Sequence, residues 1–573
     1  MNQTRSFLLI AWLVVATLLW MEWNKAPTNE AEAPALTSAD ANATSTNNPT
    51  APLPGAGASL PAASAALPGL SAATIAPASG SQTITIANDL LRLTVDLQGG
   101  RVVDSQLLQY TVEKKPDSPS VRLLNSAPAL YHVADAGLIS VDDKNMQREL
   151  PAQFRVESDA GAFVLPSGVS EIAVPMVWTD PASGLTIKRT LTLKRGSYVL
   201  ELSDRVANGG AVAQRVYPFV RLSRVAPPAP PKHSFMTNPE TFSFVGAAWY
   251  TPEEKYEKAP LSDFLDEQPP ATEVADAWIA MLQHHFVTAW VPPAKEKQIL
   301  QASVTTHNGV PLYSVRSIAT PLDVAPGTSR AHVSSLWVGP KLQAPLSALS
   351  PQLDLSVDYG VLSVIAKPLF WLLSWLHAVL GNWGWAIIAI VVLLKLALYP
   401  LSAKQYQSMA KMRAVQPRIE ALKERYGDDK QQFQIAMMEL YKKEKINPIG
   451  GCLPMLIPIP IFLGLYWVLL ETVELRHAAW IGWIQNLTAA DPYFILPALN
   501  LIVMYLTQKL TPMPGMDPLQ KKMMQFMPLV FGVMMAFFPS GLVLYWVTNG
   551  LLGLAQQWWM TKRHGPKALV VAK

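Results

Sequence analysis

Hydrophobic and polar residues alternate with a period of two along residues 81–345. In residues 91–98, for example, leucine or valine occupies every odd position and a polar residue every even one. Residues 186–202 have the pattern of a β-hairpin with a glycine turn, and residues 286–291 and 332–338 have the pattern of further strands. Because side chains alternate across a strand, these residues predict a large antiparallel β-sandwich domain with few helices.

A helical pattern replaces the alternation at residue 353. From 353 to 380 apolar residues recur at three or four positions, whereas Asp354, Asp358 and Lys367 lie on the other side. A helix with a broad apolar face and few charges suits the membrane surface, so we predict an interfacial amphipathic helix over residues 353–380. A membrane span is the alternative, and Lys367-Pro368 in the middle argues against it.

Five further apolar runs follow, each near the roughly 20 residues that a helix needs to cross the hydrocarbon core. They occupy residues 383–401, 449–470, 493–508, 523–538 and 542–559. The proline and glycine of Phe538-Pro539-Ser540-Gly541 predict a tight turn between the last two runs. The sequence therefore predicts one span at residues 383–401 and four more within residues 449–560.

The first 80 residues contain a candidate anchor and a linker. Residues 7–21 are apolar and lack a small-x-small cleavage site directly after them, so we predict an uncleaved transmembrane anchor over residues 1–25, with a cleaved signal peptide as the alternative. Residues 26–80 consist mostly of Ala, Pro, Ser, Thr, Asn and Gly. Such a segment cannot bury enough surface to offset its chain entropy, which predicts a flexible linker.

Positive charge is concentrated on one side of the predicted spans. Residues 402–448 carry ten Lys or Arg side chains and the tail at residues 561–573 is basic, whereas Arg476 is the single Lys or Arg of residues 471–492. The positive-inside rule then places residues 402–448 and both termini in the cytoplasm. With the anchor counted, the sequence predicts six spans and a periplasmic β domain in a bacterial inner membrane.

Residues 402–448 themselves have the pattern of a helical hairpin. Apolar residues recur at helical spacing in both halves, and Gly427-Asp428-Asp429 interrupts them. Links between helices usually take about 2–8 residues, so a segment of this length predicts a contact with another molecule, although a plain connector is the alternative. The residues singled out in this hairpin are Met409, Met412, Pro417 and Asp428.

Composition and cysteine content exclude several classes of function. Hydrophobic residues make up 50% of the 573 residues and charged residues only 15%, which favours a membrane protein. The net charge of +4 does not indicate sequence-specific nucleic-acid binding. One cysteine, Cys452, excludes an intrachain disulfide and a cysteine-based metal site. Without a phosphate-binding loop or a catalytic constellation, we predict no cofactor, no metal and no enzymatic activity, and we interpret His284 and His285 as structural.

Lys395 is the basic residue within a predicted span. Placing its charge at mid-bilayer costs about 2.5–3.5 kcal/mol, so such a side chain usually faces a bundle interior or a hydrated cavity. Snorkelling toward the cytoplasmic interface is the alternative. Polar side chains on other spans favour the cavity, although helix–helix hydrogen bonding is their common use. The residues concerned are Tyr545, Trp546, Asn549 and Gln556 in the last span and Gln508 in the fourth.

The third span is interrupted by prolines in its cytoplasmic half. Pro454, Pro458 and Pro460 free backbone carbonyls and predict a kinked, movable segment. Met455 and Met527 have flexible thioethers that adapt to varied apolar partners, although core filling is the alternative for either one. These residues predict a path by which an apolar segment leaves the bundle.

Several stretches resemble the YidC/Oxa/Alb insertase family of membrane proteins. In the bundle they are Gly381-Asn-Trp-Gly384, Tyr399-Pro-Leu-Ser402, Asn447-Pro-Ile-Gly-Gly-Cys-Leu-Pro454 and Phe538-Pro-Ser-Gly-Leu-Val-Leu-Tyr545, and in the β domain Gln283-His-His-Phe-Val-Thr-Ala-Trp290. The resemblance implies a periplasmic β-supersandwich. It also implies that Lys395 takes the place of the positive residue of an intramembrane groove and Trp546 that of an aromatic residue lining it.

The function that this resemblance implies is insertion and folding of nascent inner-membrane proteins, alone or with the Sec translocon. The implied partners include the lipid bilayer and the ribosome, which would meet the basic cytoplasmic loops and tail, and the protein is expected to work as a monomer. Two other classes stay open from the residues themselves. A small-solute transporter would also have an intramembrane charge and broken helices, and a sugar-processing enzyme anchored by the bundle would have the sandwich.

Overall fold

The computed structural model describes ten stretches of the chain. They are residues 82–141, 147–158, 160–228, 244–266, 268–270, 272–403, 415–427, 429–444, 458–510 and 518–564. The predicted anchor and linker therefore lie outside the described residues, as do residues 565–573 of the tail. The same holds for five of the residues singled out above, Met409, Met412, Asp428, Pro454 and Met455.

Two large sheets occupy residues 83–340. In chain order their strands are β1 Thr83–Ala87, β2 Leu91–Asp96, β3 Arg101–Thr111, β4 Ser120–Val121, β5 His132–Val141, β6 Gln147–Glu149, β7 Arg155–Val156, β8 Ala162–Val164, β9 Glu171–Thr179, β10 Leu185–Lys194, β11 Val199–Asn208, β12 Gln214–Val225, β13 Gly246–Thr251, β14 Lys255–Pro260, β15 Val274–Ala275, β16 Trp278–Gln283, β17 Phe286–Val291, β18 Lys297–His307, β19 Val310–Ala319, β20 Leu322–Val324 and β21 Ser329–Pro340. The predicted β-sandwich is confirmed.

The first sheet has 12 strands and the second has 9. The first runs β15-β18-β19-β12-β5-β3-β2-β1-β8, and β20, β4 and β6 pair at its sides. The second runs β14-β13-β16-β17-β21-β11-β10-β9-β7. β17 lies in the interior of the second sheet, because it pairs with β16 on one side and with β21 on the other.

The predicted hairpin at residues 186–202 is confirmed, and one strand pairing departs from the antiparallel prediction. β10 pairs with β11 from Leu185↔Asn208 to Leu193↔Leu200, and Gly196 in the turn has a φ of +68°. β1, in contrast, runs parallel to the short strand β8. Because β8 reaches β1 after a long excursion of the chain and not through a hairpin, local patterning could not reveal its direction.

The inward faces of the two sheets enclose one apolar core. Four tryptophans lie within it, Trp249, Trp278, Trp290 and Trp337, and each is at most 2% exposed. An aromatic side chain buries roughly 150–250 Å², so these four rings account for much of the packing between the sheets. The domain holds together through this core, in agreement with its lack of disulfides.

A buried ion pair crosses this core. Arg189 lies on the inward face of β10 and is 1% exposed. Its Nε donates to Asp204 Oδ1 at 2.8 Å and its Nη2 to Asp204 Oδ2 at 2.7 Å. Nη1 lies 3.4 Å from the carbonyl oxygens of Gly99 and Gly100, in the turn that joins β2 and β3 of the other sheet. The fork-shaped contact satisfies both charges inside the apolar core and connects the two sheets.

The regular secondary structure of the described chain after residue 340 is helical. They are α1 Gln343–Leu349, α2 Ser363–Leu380, α3 Trp383–Ala397, α4 Gln416–Tyr426, α5 Lys430–Lys443, α6 Pro458–Glu471, α7 Ile495–Leu510, α8 Pro518–Met535 and α9 Ser540–His564. α9 packs against α3, α6 and α7, whereas α2 packs against α3 and α6. α8 packs against α7, and its Phe531 contacts Trp546 of α9. α9 is therefore the central helix of the bundle.

The predicted interfacial helix begins later than expected. Residues 353–356 and 360–362 form separate 3₁₀ turns, and the regular helix α2 starts at Ser363. Gly360 has a φ of +57°, and its N–H donates to Asp358 Oδ1 at 2.8 Å. This local turn interrupts the helix that the apolar spacing predicted from residue 353.

Among the described residues, α2 is the one helix that is long and apolar enough to cross a membrane. α3, residues Ile459–Glu471 of α6 and Lys522–Met535 of α8 are shorter apolar helices. The number of spans and the interfacial position of α2 thus stay predictions. The predicted tight turn is confirmed, because α8 ends at Met535 and α9 begins at Ser540, whose N–H donates to the Ala489 carbonyl at 2.7 Å.

α4 and α5 form a helical hairpin at the described part of residues 402–448. α4 ends at Tyr426 and α5 begins at Lys430, where the sequence places the interruption. The Asp429 side chain accepts from the N–H groups of Gln431 and Gln432, which caps α5. A small apolar core holds the two helices together, formed by Val415, Ile419, Met437 and Tyr441.

Candidate functional site

Lys395 lies in the last turn of α3, on the side that faces α9. The start of α3 is fixed by Asn382, whose Oδ1 accepts from the Trp385 N–H at 3.2 Å. At the other end of the helix, Lys395 is half-buried, and its Nζ lies 3.6 Å from the position that a Cβ on Gly553 would occupy. The glycine thus leaves room for the ammonium group against the backbone of α9.

The polar face of α9 meets Lys395 at Gly553. α9 is a continuous helix, so Asn549, Gly553 and Gln556 lie on one side at spacings of four and three residues. Asn549 and Gln556 are both half-buried. The structure therefore brings a cation of α3 to the polar side of α9, and the hydrated cavity expected around these residues stays a prediction.

Trp546 lies one turn before Asn549 within an aromatic cluster. Its ring is 4.4 Å from that of Phe462 on α6 and 5.2 Å from that of Phe531 on α8, measured between centroids. Its Nε1 is buried and has no hydrogen-bond partner among the described residues. An indole N–H in such a place is a donor for a polar group that enters the bundle.

Tyr545 has a different environment from the one predicted for a groove residue. It is 5% exposed and belongs to the apolar core of the bundle. Its ring stacks on Phe462 with centroids 5.5 Å apart. Tyr545 therefore packs α9 against α6, and its place in a groove stays a prediction.

Gln508 connects two helices. Its Nε2 donates to the backbone carbonyl of Met524 and so links α7 to α8. This is the helix–helix hydrogen bond that is the common use of a polar residue in a span. The contact does not bring Gln508 to Lys395, and its part in a groove stays a prediction.

Of the residues predicted along the exit path, Pro460 and Met527 are exposed. Pro458 begins α6 and Pro460 is exposed in its first turn. Met527, on α8, is 51% exposed. Pro417 is exposed at the start of α4, in the cytoplasmic hairpin. Exposure on the outer side of the bundle agrees with contact to lipid or to a passing apolar segment.

Sequence reasoning missed the partners of these residues. Phe462 and Phe531, which enclose Trp546, are apolar residues in apolar runs and give no signal of their own. Gln557 was also missed, although it is 4% exposed, because it neighbours Gln556 on the helix. Gly550 approaches α7 so closely that a Cβ would lie 2.5 Å from Val503 Cγ1. Small residues are common where helices of a membrane bundle approach closely, and Gly550 with Gly553 three residues later could have indicated that approach.

Metal ligands do not cluster in the described part of the chain. No group of three or more His, Cys, Asp or Glu side chains there could hold a metal ion. Lys395, Asn549 and Gln556 provide one positive charge and neutral amides. The chemistry of this face is therefore attraction of anionic or polar groups.

Two family descriptions match the chain, and together they cover most of it. "YidC periplasmic domain" matches residues 83–372 and "60Kd inner membrane protein" matches residues 375–567. A membrane protein insertase YidC of Stenotrophomonas maltophilia is 52% identical over 575 residues, with 99% of this chain and 97% of that protein covered. One of Xanthomonas campestris pv. campestris is 50% identical over 583 residues, with 99% and 98% covered.

A solved relative is the crystal structure of an active YidC insertase with its first transmembrane domain resolved. It is 19% identical and covers 83% of this chain and 92% of its own, with a TM-score of 0.36. A helical bundle with an apolar outer surface and a two-sheet domain defines a class of membrane protein with a large domain outside the bilayer. The family descriptions and the identities to full-length relatives are more specific. This chain belongs to the YidC family of inner-membrane proteins.

Proposed function

We propose that the protein inserts nascent membrane proteins into the inner membrane and assists their folding. Membership in the YidC family supports this function over the small-solute transporter and the anchored enzyme, because the full-length relatives at about half identity are named insertases. The observation that carries the mechanism is the position of Lys395, half-buried against Gly553 on the polar side of α9.

The charge of Lys395 gives the groove its selectivity. A short polar tail or loop of a substrate enters from the cytoplasm, and its acidic residues are attracted to the ammonium group. Lysine is a compact charge without the bidentate fork of arginine, so the attraction holds a segment transiently and does not fix its orientation. The Trp546 N–H and the amides of Asn549 and Gln556 offer further polar contacts along the same helix.

The apolar part of the substrate leaves between α6 and α8. Exposed apolar side chains on both helices support this route, among them Ile459 and Leu463 on α6 and Met527 and Val530 on α8. Partition of the segment into lipid supplies the free energy, so the mechanism needs neither a nucleotide nor a cofactor. The prolines of the third span allow its cytoplasmic half to move aside.

The remaining features of the proposal concern topology and partners. Six spans, counting residues 1–25, place both termini and residues 402–448 in the cytoplasm and the β domain in the periplasm. The hairpin of α4 and α5 and the basic tail would meet the ribosome, and the Sec translocon would act together with the insertase on some substrates. The insertase would work as a monomer.

Neutralising Lys395 tests the mechanism. In Lys395→Gln we expect insertion of substrates with an acidic translocated segment to fall roughly tenfold, which corresponds to the loss of about 1.4 kcal/mol of attraction. Lys395→Arg should retain most of the activity because it keeps the charge. Insertion of single-span and double-span substrates into membrane vesicles measures the effect.

Lys509 provides the matched control. It is an exposed lysine at the end of α7, with its Nζ 4.8 Å from the centre of the Tyr505 ring. Lys509→Gln removes the same charge from the same bundle without touching α9, so insertion should not change. Unchanged insertion of every substrate by Lys395→Gln would remove Lys395 from the mechanism.

A further inference from the structure

The turn between β16 and β17 in the β domain reaches the end of helix α6 in the bundle. His284 and His285 form this turn, are 9% and 4% exposed, and stack with ring centroids 3.7 Å apart. Nε2 of His284 lies 3.0 Å from the Leu470 carbonyl oxygen, and Nε2 of His285 lies 3.1 Å from the same atom. Both imidazoles therefore contact one backbone oxygen of the third predicted span.

That oxygen belongs to the last turn of α6. A helix leaves its last four carbonyls without partners from its own regular hydrogen bonds. The Val468 carbonyl accepts from the Thr472 N–H at 3.1 Å, which closes the turn on one side. The Leu470 carbonyl accepts instead from the two histidines, which therefore serve as a C-terminal cap supplied by another domain.

The imidazoles act as neutral donors. A carbonyl oxygen can only accept, so each ring must carry a hydrogen on Nε2. Burial, together with the charge of the nearby Lys341, lowers the pKa of His284 to about 4. Burial also holds the pKa of His285 well below its ordinary value. At neutral pH both rings are uncharged, so they stack without mutual repulsion while each donates from Nε2.

The histidine turn is itself fixed in the β domain. The Lys341 N–H donates to the His285 carbonyl at 2.9 Å, directly after β21 ends at Pro340. The Lys341 side chain is 3% exposed, and the charges of Glu471 and Asp358 act on its ammonium group. Asp358 also forms an ion pair with Lys258 of β14. A cation beside the C-terminus of α6 is further stabilised by the helix dipole.

We propose that His284 and His285 clamp α6 at its last turn, so that this helix pivots about Leu470 while its opposite end, at Pro458 and Pro460, moves to release a substrate. The two histidines are thus positioning residues that act through α6. This inference rests on the proposed insertase function. The clamp itself is a structural contact that can be measured without any substrate.

A second contact between the same two regions provides the matched control. Lys114, in the loop after β3, donates through Nζ to the carbonyls of His477 at 2.7 Å and Gln485 at 2.5 Å. This contact is exposed and holds the loop after α6, whereas the histidines hold the helix itself. Lys114→Met should therefore leave the last turn of α6 unchanged.

Hydrogen exchange in the full-length protein in lipid nanodiscs tests the clamp. In the double variant His284→Leu/His285→Leu we expect the amides of residues 468–472 to exchange roughly tenfold faster, because the cap is lost and the last turn frays. His284→Gln/His285→Gln keeps an amide N–H near each Nε2 and should restore slow exchange. Unchanged exchange in the leucine variant would overturn the clamp, whether or not the protein inserts substrates.

Insertion of a double-span substrate tests the pivot. The leucine variant should insert severalfold less than the wild type, and the glutamine variant should match the wild type. Faster exchange combined with wild-type insertion would overturn the positioning role, whereas the Lys395→Gln experiment tests the insertase mechanism separately. If the double variant does not accumulate, His285→Leu alone is measured in the same way. Unchanged exchange would then overturn the clamp, and faster exchange with wild-type insertion would overturn the positioning role.

Discussion

The β domain and the helical bundle differ in what they expose. The large hydrophobic side chains that the described β domain exposes are valines and leucines, such as Val212, at 63%. The bundle exposes tryptophan, phenylalanine and methionine as well, such as Trp371, at 69%, and Phe526, at 62%. Isolated apolar residues are ordinary on a surface in water, whereas a continuous apolar surface suits lipid. The exposed surface of the β domain therefore suits water, and that of the bundle suits lipid.

The two regions also differ in how they bury charge. In the β domain, the buried Arg189 pairs with Asp204, and the half-buried Arg221 pairs with Asp135 and Glu149. In the bundle, Lys395 lies against a glycine of the neighbouring helix. Paired ions serve stability and specificity of packing. A half-buried cation on one helix beside a polar face of another agrees with the substrate contact proposed for Lys395.

Breaking the buried pair of the β domain should have the largest effect. Asp204→Ala leaves the Arg189 charge in an apolar core, and we expect the free energy of unfolding of the domain to fall by about 3–5 kcal/mol. Denaturant titration of the full-length protein, followed by protease sensitivity of the β domain, measures it. A fall of less than 1 kcal/mol would contradict the role assigned to the pair.

The neighbouring residue on β10 supplies the control for this variant. Lys188 Nζ lies 3.2 Å from Glu157 Oε1, and both side chains are 51% exposed. Because water screens an exposed pair, Glu157→Ala should cost about 0–1 kcal/mol.

The next largest effect is expected from a charge placed on the exposed apolar surface of the bundle, compared with the same charge on the β domain. Val530→Arg, on the exposed side of α8, should disfavour membrane integration by about 2.5–3.5 kcal/mol if this surface meets lipid. Val212→Arg, in the turn between β11 and β12, should be nearly neutral although the two valines are 69% and 63% exposed. Membrane extraction and accumulation of the two variants measure the contrast. If the two variants were extracted and accumulated to the same extent, the surfaces around Val530 and Val212 would not face different solvents.

The smallest effect is expected from protonation of His132, a buried histidine of the β domain. Burial lowers the pKa of His132 from 6.5 to about 3. Between these values the unfolded chain binds one more proton than the folded domain, so lowering the pH reduces the free energy of unfolding by about 1.4 kcal/mol per pH unit. His132→Asn keeps a donor for the Leu123 carbonyl, which Nδ1 contacts at 2.8 Å.

The variant should therefore lose this part of the pH dependence and keep most of the stability at neutral pH. Unfolding curves of wild type and variant at pH 7 and pH 5 measure the difference. His284 and His285 titrate in both proteins, so the comparison of slopes isolates His132. Identical slopes would show that His132 is not the group that titrates.

Part of the candidate site could be predicted from the sequence, and part could not. Helical spacing alone places Asn549, Gly553 and Gln556 on one side of the last helix, and the cost of a charge in lipid directs Lys395 toward the interior. Phe462, Phe531 and the unpartnered Trp546 N–H could not be predicted. Periodicity tells which face of a helix is inward but not which residue of another helix lies opposite, because that depends on crossing angles and register.

The division into a two-sheet domain and an apolar bundle, the hairpin at residues 186–202 and the break between α4 and α5 could all be predicted from the order of residues. These features depend on neighbours in the chain, whose periods differ between strands and helices. Folding in three dimensions was needed to reveal that β8 runs parallel to β1, that Arg189 pairs with Asp204 on the neighbouring strand, and that His284 and His285 cap α6. Those contacts join residues far apart in the chain, and long-range packing alone selects them.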